Sequence, residues 1–301
     1  MSYLTAAFDA SLGTFRNFRG ADGEWQTAAA SQDSQGRALL SIGIAVRDAP
    51  EMTMRVEARA LLSAALPGAR RLSSPRAMAS AILGCDAALT GGMTGDAELV
   101  FGSLVKNLRG LFRDLDLDGE WPWPEETLTY ENALLPHALI VAGERLGDAK
   151  LRSVGLVVLD WLIAVQTSRR GVFTPIGNDG WWTRGGPRAQ FDQQPIEATA
   201  MILAASAAYQ STQDPGYMRS AEAAYGWFLG DNEAGLVVAD VAAGGCRDGL
   251  GEAHVNLNQG AESTLMWLTA LEAMRSLRTH AMAARQTRAR GGVAVLTEVH
   301  A

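Results

Sequence analysis

Two segments of the chain open on the same pattern, and that recurrence narrows the folds available to it. Gln194-Pro195-Ile196-Glu197-Ala198-Thr199-Ala200-Met201 and Gln259-Gly260-Ala261-Glu262-Ser263-Thr264-Leu265-Met266 both read Gln-x-x-Glu-small-Thr-x-Met, and each leads into an apolar run. A motif recurring after about 65 residues at a predicted helix start marks an internal structural repeat. Glu197 and Glu262 then take equivalent places in the first turns of two helices. Free backbone N–H groups favour a carboxylate there, and residues three apart share a face.

The rest of the chain reads as paired helices with few strand signals. The pairs are residues 1–16 with 38–46, 51–65 with 74–89, 96–115 with 128–146, 149–166 with 194–209, and 215–229 with 259–277. Asp33 is the expected N-cap of the second helix. Prolines punctuate the pattern: Pro67-Gly68 closes one helix, and Ser74-Pro75 opens the next. First members of the pairs are amphipathic and charged, as in Arg55-Val56-Glu57-Ala58-Arg59, which suits a half-solvated outer layer. Second members, such as residues 198–209, are apolar nearly all round and suit an inner layer. Alternating outer and inner helices describe an all-α fold, an (α/α) toroid with five recognisable hairpins. The alternative, an α-solenoid, has shorter and more uniform repeats. The uneven growth lies in loops, above all residues 171–192, and loops on a rigid scaffold usually carry function. Residues 1–280 are read as a single toroid domain, and residues 281–301, with Arg285, Arg288 and Arg290, as a loosely ordered tail.

Composition excludes several classes of function. Acidic residues outnumber basic ones by 33 to 26, the net charge is -7, and no long basic stripe occurs, so neither nucleic acid nor an anionic membrane is an expected partner. The most apolar run, residues 154–165, carries Asp160 and is too short to span a bilayer. Two cysteines, Cys85 in an apolar helix and Cys246 in a Gly-rich loop, do not suggest a disulfide framework. With no secretory signal in view, a soluble chain in a reducing, cytoplasmic compartment is expected. The four histidines are scattered, and no spacing fits a metal site. Gly91-Gly92-Met93-Thr94-Gly95 lacks the lysine of a phosphate loop, so neither nucleotide nor any other cofactor is expected.

Six ordered stretches resemble a known family. They are residues 33–39 (Asp33 to Leu39), Trp121-Pro122-Trp123, residues 128–136, residues 191–198, residues 245–250 and residues 258–264. Together they are similar to a bacterial family of six-hairpin glycosidase-like proteins, whose members are often labelled glycosyltransferases or glycosidases. The resemblance runs to about Leu277 and implies a sugar-related role. Fuller family members carry a further hairpin before the equivalent of Tyr3, with an Asp-Asp-Asn-Ala-Arg-like motif that this sequence does not show. Five pairs in place of six imply a shortened start, an open ring, or an oligomer or partner chain that completes the toroid.

Glycosidic cleavage in its usual scheme needs two carboxyl groups flanking the bond. Asp33, Glu131, Asp192, Glu197 and Glu262 all fall at or near inner-helix N-termini and could converge at one mouth of a toroid. Each could equally be a cap that satisfies free N–H groups. The catalytic candidates are Glu131, Asp192, Glu197 and Glu262. Trp121, Trp123, Trp181 and Trp182 offer flat faces for sugar rings, against the alternative that they pack on the core. The matched motifs add Asp33, Arg37, Tyr130, Asn132, Gln193, Gln194, Arg247, Asp248, Asn258 and Gln259 as substrate-binding candidates. Arg184, Arg188 and Arg247 could meet a carboxylate or phosphate. Trp161, Trp227 and Trp267 are expected in the core, as is His137. The leading expectation is glycoside hydrolysis on an oligosaccharide or glycoside. A non-catalytic sugar-binding or accessory protein working with a glycosyltransferase or phosphorylase is one alternative, and a helical interaction scaffold another.

Overall fold

The computed structural model describes residues 1–26 and 31–298. Its helices are α1 (Ser2–Ala7), α2 (Gln32–Asp48), α3 (Met52–Ala69), α4 (Pro75–Thr90), α5 (Asp96–Gly110), α6 (Leu134–Leu146), α7 (Ala149–Val165), α8 (Pro195–Thr212), α9 (Pro215–Phe228) and α10 (Ala261–Glu298). The strands are short antiparallel pairs: β1 (Phe8–Asp9) with β2 (Thr14–Phe15), β3 (Thr127–Leu128) with β4 (Trp182–Thr183), β5 (Ala239–Asp240) with β6 (Gly245–Cys246), and β7 (Gly249–Leu250) with β8 (Val255–Asn256). The fold is therefore all-α. Two compact units are present, one of Met1–Glu126 with Ala133–Trp161, the other of Thr127–Asn132 with Leu162–Ala301.

In the first unit, α3 buries Ala58, Leu61, Leu62, Ala65, Leu66 and Ala69, and α5 buries Ala97, Val100, Phe101, Leu104, Val105 and Leu108. Both sets follow the i, i+3, i+4, i+7 spacing of a helix wetted on one side. α4 is buried along most of its length, from Arg76 to Ala88, and packs on α2, α5 and α6. Glycine allows its closest approach. A Cβ on Gly43 of α2 would stand 2.8 Å from the Cα of Gly84 in α4, so the two backbones touch where neither residue has a side chain.

In the second unit, α8 is buried on all sides, and α9 and α10 pack on it. The Trp227, Phe228 and Trp267 rings cluster at centroid separations of 5.2 and 5.3 Å. The hydroxyl of Thr199 donates to the Met266 carbonyl at 2.9 Å, which ties the two repeated motifs together at their first turns. α10 departs from the expectation of an all-round apolar helix, because Leu265, Leu268 and Leu271 are exposed.

Several predicted boundaries are corrected. The first helix stops at Ala7 in place of residue 16: Asp9 accepts from the N–H and hydroxyl of Ser11 at 3.0 and 2.6 Å, and Gly13 takes a φ of 64°, which turns the chain into the β1–β2 hairpin. α2 begins earlier than expected, with Ser31 as its cap; Asp33 lies inside the first turn and is not the cap. α6 begins at Leu134, because residues 127–133 are held in strand and turn. The last helix of the fold, α10, runs to Glu298, and residues 299–301 lie outside the described residues.

Candidate active site

The site is built on the second unit, where the long loop before α8 meets the loop before α10. Gly177 lies so close to the Phe191 backbone that a Cβ would stand 2.6 Å from its nitrogen. From there the strands of the loop zip together: Gly177 N–H donates to Ala189 O at 2.9 Å, and Asn178 N–H to Asp192 O at 2.8 Å. The Phe191–Asp192 peptide is cis. Gln193 comes next and is fully buried. Its backbone exchanges two hydrogen bonds with Leu250, at 2.9 and 2.8 Å. Its Oε1 accepts from the Trp227 indole at 2.7 Å, and its Nε2 donates to Gln190 O at 2.9 Å. Gln193 is thus an anchor rather than the substrate contact expected from sequence.

That anchor fixes Asp192 one residue away, half-buried, with its carboxyl against Gly249; a Cβ at 249 would lie 3.0 Å from the Asp192 Cγ. Partial burial pushes the Asp192 pKa above the ordinary aspartate value; the nearby His254 opposes this, and the negative Asp179 and Asp248 reinforce it. Asp248 behaves in the opposite way. Its own slight burial resists ionisation, but it accepts the Gly260 N–H at 2.7 Å together with the Asn258 amide and Ser263, and the net effect holds it below the ordinary range. Asn258 is thereby spoken for, and Gln259 donates to Asp240 Oδ2 at 3.2 Å. Arg247 donates to the Val237 carbonyl at 3.2 Å.

Glu197 and Glu131 are brought together, but through backbone. The Glu197 carboxylate is 3% exposed. It accepts the Glu131 N–H, the Asn132 N–H at 3.4 Å and the Asn132 side-chain amide at 3.2 Å. Asn132, itself fully buried, also closes the turn by accepting from Thr129 N–H at 3.1 Å. Glu131 takes a left-handed φ of 49°. Tyr130 and Glu131 remain half-buried beside this clamp, and Gln194 is half-buried at the start of α8. Glu262, at the equivalent place in α10, is exposed. The repeat therefore preserves position but not environment.

The tryptophans divide. Trp181 is 40% exposed, and Trp182, paired with Leu128 across β3–β4, donates its indole N–H to Gly186 O at 3.2 Å. Trp121 and Trp123 belong to the first unit and are buried. They pack on Trp161 at centroid separations of 5.4 and 6.4 Å, and the Trp121 indole donates to Glu125 O at 3.0 Å. Covered rings cannot stack on a sugar, so the expectation for this pair is corrected to packing. Asp33 and Arg37, also in the first unit, pair with each other at 2.9 Å. Asp179 and His254 were not singled out in the sequence, and both act on Asp192 only through chain folding.

A cavity of about 450 Å³ adjoins this loop, lined by Ser168, Thr174, Arg188, Phe191, Glu233 and Glu252 among others. Among the described residues no group of three His, Cys, Asp or Glu is placed to hold a metal ion, and no helix is long and apolar enough to cross a membrane.

No protein-family model and no curated protein matches the chain. Solved structures do. An unsaturated glucuronyl hydrolase specific for heparin superposes with a TM-score of 0.56 at 12% identity, over 75% of this chain and 64% of its own, so the chain spans less than two thirds of that enzyme. The Lin0763 protein of Listeria innocua superposes with a TM-score of 0.59 at 11% identity, over 93% of this chain and 95% of its own. The chain shares the all-α fold of these two structures. At these identities the likeness is one of fold, and what the scaffold does in this chain must be argued from its own residues.

Proposed function

We propose that the chain hydrolyses a glycosidic bond, with Asp192 as the acid and Asp248 as its ionised partner. One observation carries the reading: two aspartates that flank Gly249 in space or sequence have their pKa values pushed in opposite directions. Pairs of carboxyls separated in this way are how one site holds an acid and a base at the same pH. Protonated Asp192 gives its proton to the leaving glycosidic oxygen. Asp248 takes a proton from the water that adds to the sugar carbon, so the bond is replaced by two hydroxyl groups.

Trp181, on the same loop, supplies an exposed indole face for the sugar ring. In this reading Glu197 positions the 129–132 turn, and Glu131 and Glu262 stand outside the proton transfers. The likeness of fold to a glucuronyl hydrolase supports glycoside chemistry without specifying the substrate.

The test is a panel of aryl glycosides and oligosaccharides with products followed by chromatography. On any sugar that is cleaved, Asp192→Asn and Asp248→Asn should each lower kcat by about 10²–10⁴-fold. Full turnover by either variant removes that residue from the mechanism. Oligosaccharide binding with no product on long incubation favours a non-catalytic sugar-binding protein.

A further inference from the structure

The β7–β8 hairpin carries a second titratable side chain to the face on which the Asp192 carboxyl rests. Its register pairs Gly249 with Asn256 and Leu250 with Val255, and the Gly251 N–H donates to the His254 carbonyl at 2.9 Å. Gly251 and His254 are thus the last rung before the turn at Glu252-Ala253. Side chains of a cross-strand pair lie on one face of the ribbon. Gly251 has none, and the His254 imidazole lies across the space: a Cβ on Gly251 would stand 2.8 Å from its Cε1 and 3.1 Å from its Nδ1.

Alternate residues of a strand share a face, about 7 Å apart along it, and Gly249 and Gly251 are such a pair. The Asp192 carboxyl takes the place of a side chain at the first, where a Cβ would stand 2.4 Å from its Oδ1, and the imidazole takes that place at the second. The two glycines make a floor on which acid and imidazole are neighbours. The exchange of hydrogen bonds between Leu250 and Gln193, at 2.9 and 2.8 Å, holds this floor to the backbone beside Asp192. Asp192 faces His254 from the hairpin, Asp248 from the segment before β7 and Asp179 from its own loop, and of these three only His254 can carry a positive charge. Among the described residues no hydrogen bond or ion pair joins the imidazole to the carboxyl, so the coupling is one of charge.

We propose that His254 is a positioning residue for Asp192, its imidazolium stabilising the carboxylate left behind when Asp192 gives its proton to the leaving glycosidic oxygen. This role rests on the reading of Asp192 as the acid. Imidazoles are cationic on the acid side of neutrality, which is also where a carboxyl keeps its proton, so the two states required coexist there. His254 is exposed, and water screens part of its charge, which makes the effect moderate.

Carboxyl-carbon NMR on the full chain reads the coupling with no substrate present. In His254→Gln the Asp192 midpoint should rise, because the cation that favours its ionised form is gone, while Asp248, held by Gly260, Asn258 and Ser263, should not move. His254→Lys, which restores a positive charge, should bring the Asp192 midpoint back toward the wild-type value. On any glycoside that is cleaved, His254→Gln should lower kcat about ten-fold with KM unchanged, and should move the alkaline limb of the kcat profile to higher pH. An Asp192 midpoint that fails to rise, an equal shift at Asp248, or a shift that lysine does not reverse overturns the proposal. Wild-type protein that cleaves no glycoside, with the midpoint still raised in His254→Gln, sinks Asp192 as the acid and leaves the charge coupling standing. Turnover that depends on Asp192 with an unmoved midpoint does the reverse.

Discussion

The carboxyl of Asp192 rests on the backbone of Gly249, with room for no side chain between them: a Cβ at 249 would come within 3.0 Å of the Asp192 Cγ and 3.1 Å of its Oδ2. Gly249→Ala should therefore displace the carboxyl without touching substrate. A shift of about 1 Å in a reacting group costs on the order of 10²-fold in rate. We expect kcat to fall by about that factor on any cleaved glycoside, with a stability loss of about 1–3 kcal/mol from overpacking. Unchanged kcat in the alanine variant would show that the contact does not position the acid.

Glu197 should behave as a structural residue. Its removal takes away the acceptor of the Glu131 and Asn132 N–H groups and one of the two acceptors of the Asn132 side-chain amide. Glu197→Ala should lose about 2–4 kcal/mol in urea unfolding, given the cost of unsatisfied buried donors. Glu262→Ala, at the exposed equivalent position, should change stability by no more than ~0.5 kcal/mol. Similar losses at the two sites would contradict the difference in environment.

Stability should fall on the acid side of neutrality through His137. Burial pushes its pKa down to about 4, so the folded protein keeps the imidazole neutral while the unfolded chain, with an ordinary value of 6.5, takes up a proton. The unfolded state binds more protons between these values, and stability declines as pH drops from about 6.5 to about 4. The loss from this group is at most about 3–4 kcal/mol. His137→Gln should flatten that part of the stability profile measured by urea unfolding across pH; an unchanged slope would place the effect elsewhere.

Both cysteines should be inert in the native protein. Burial pushes the thiols of Cys85 and Cys246 up to about 12, leaving almost no thiolate at neutral pH. A thiol reagent followed by absorbance should label neither until denaturant is added, and then label two. Rapid labelling of the native chain would mean that one of the sites opens.

The helices were legible because their burial is local. Ala58, Leu61, Leu62, Ala65, Leu66 and Ala69 announce one face of a helix by spacing alone. The close crossing at Gly43 and Gly84 was not legible, since a glycine in a helix says nothing about what approaches it. Residues 128–133 looked helical from their own side chains. Their true state is set by the Glu197 carboxylate, 66 residues from Glu131 in sequence. Trp121 and Trp123 stood between prolines as an aromatic loop, and only the packing on Trp161 makes them core. Asp192 was one of four carboxylate candidates, and the sequence favoured Glu131 and Glu197 over it. Its distinction comes from Gly249, Asp248 and His254, which reach it through the fold and not through local pattern.

The account turns on Asp192 holding its proton more tightly than Asp248. Carboxyl-carbon NMR, with each signal assigned by its asparagine variant, reads both groups in the free protein without any need for a substrate. Asp192 should titrate above the ordinary aspartate value of about 3.9 and Asp248 below it, so that activity is lost as pH rises through the Asp192 value. An Asp192 that titrates at or below the ordinary value, or an Asp248 that titrates above it, contradicts the assignment of acid and base.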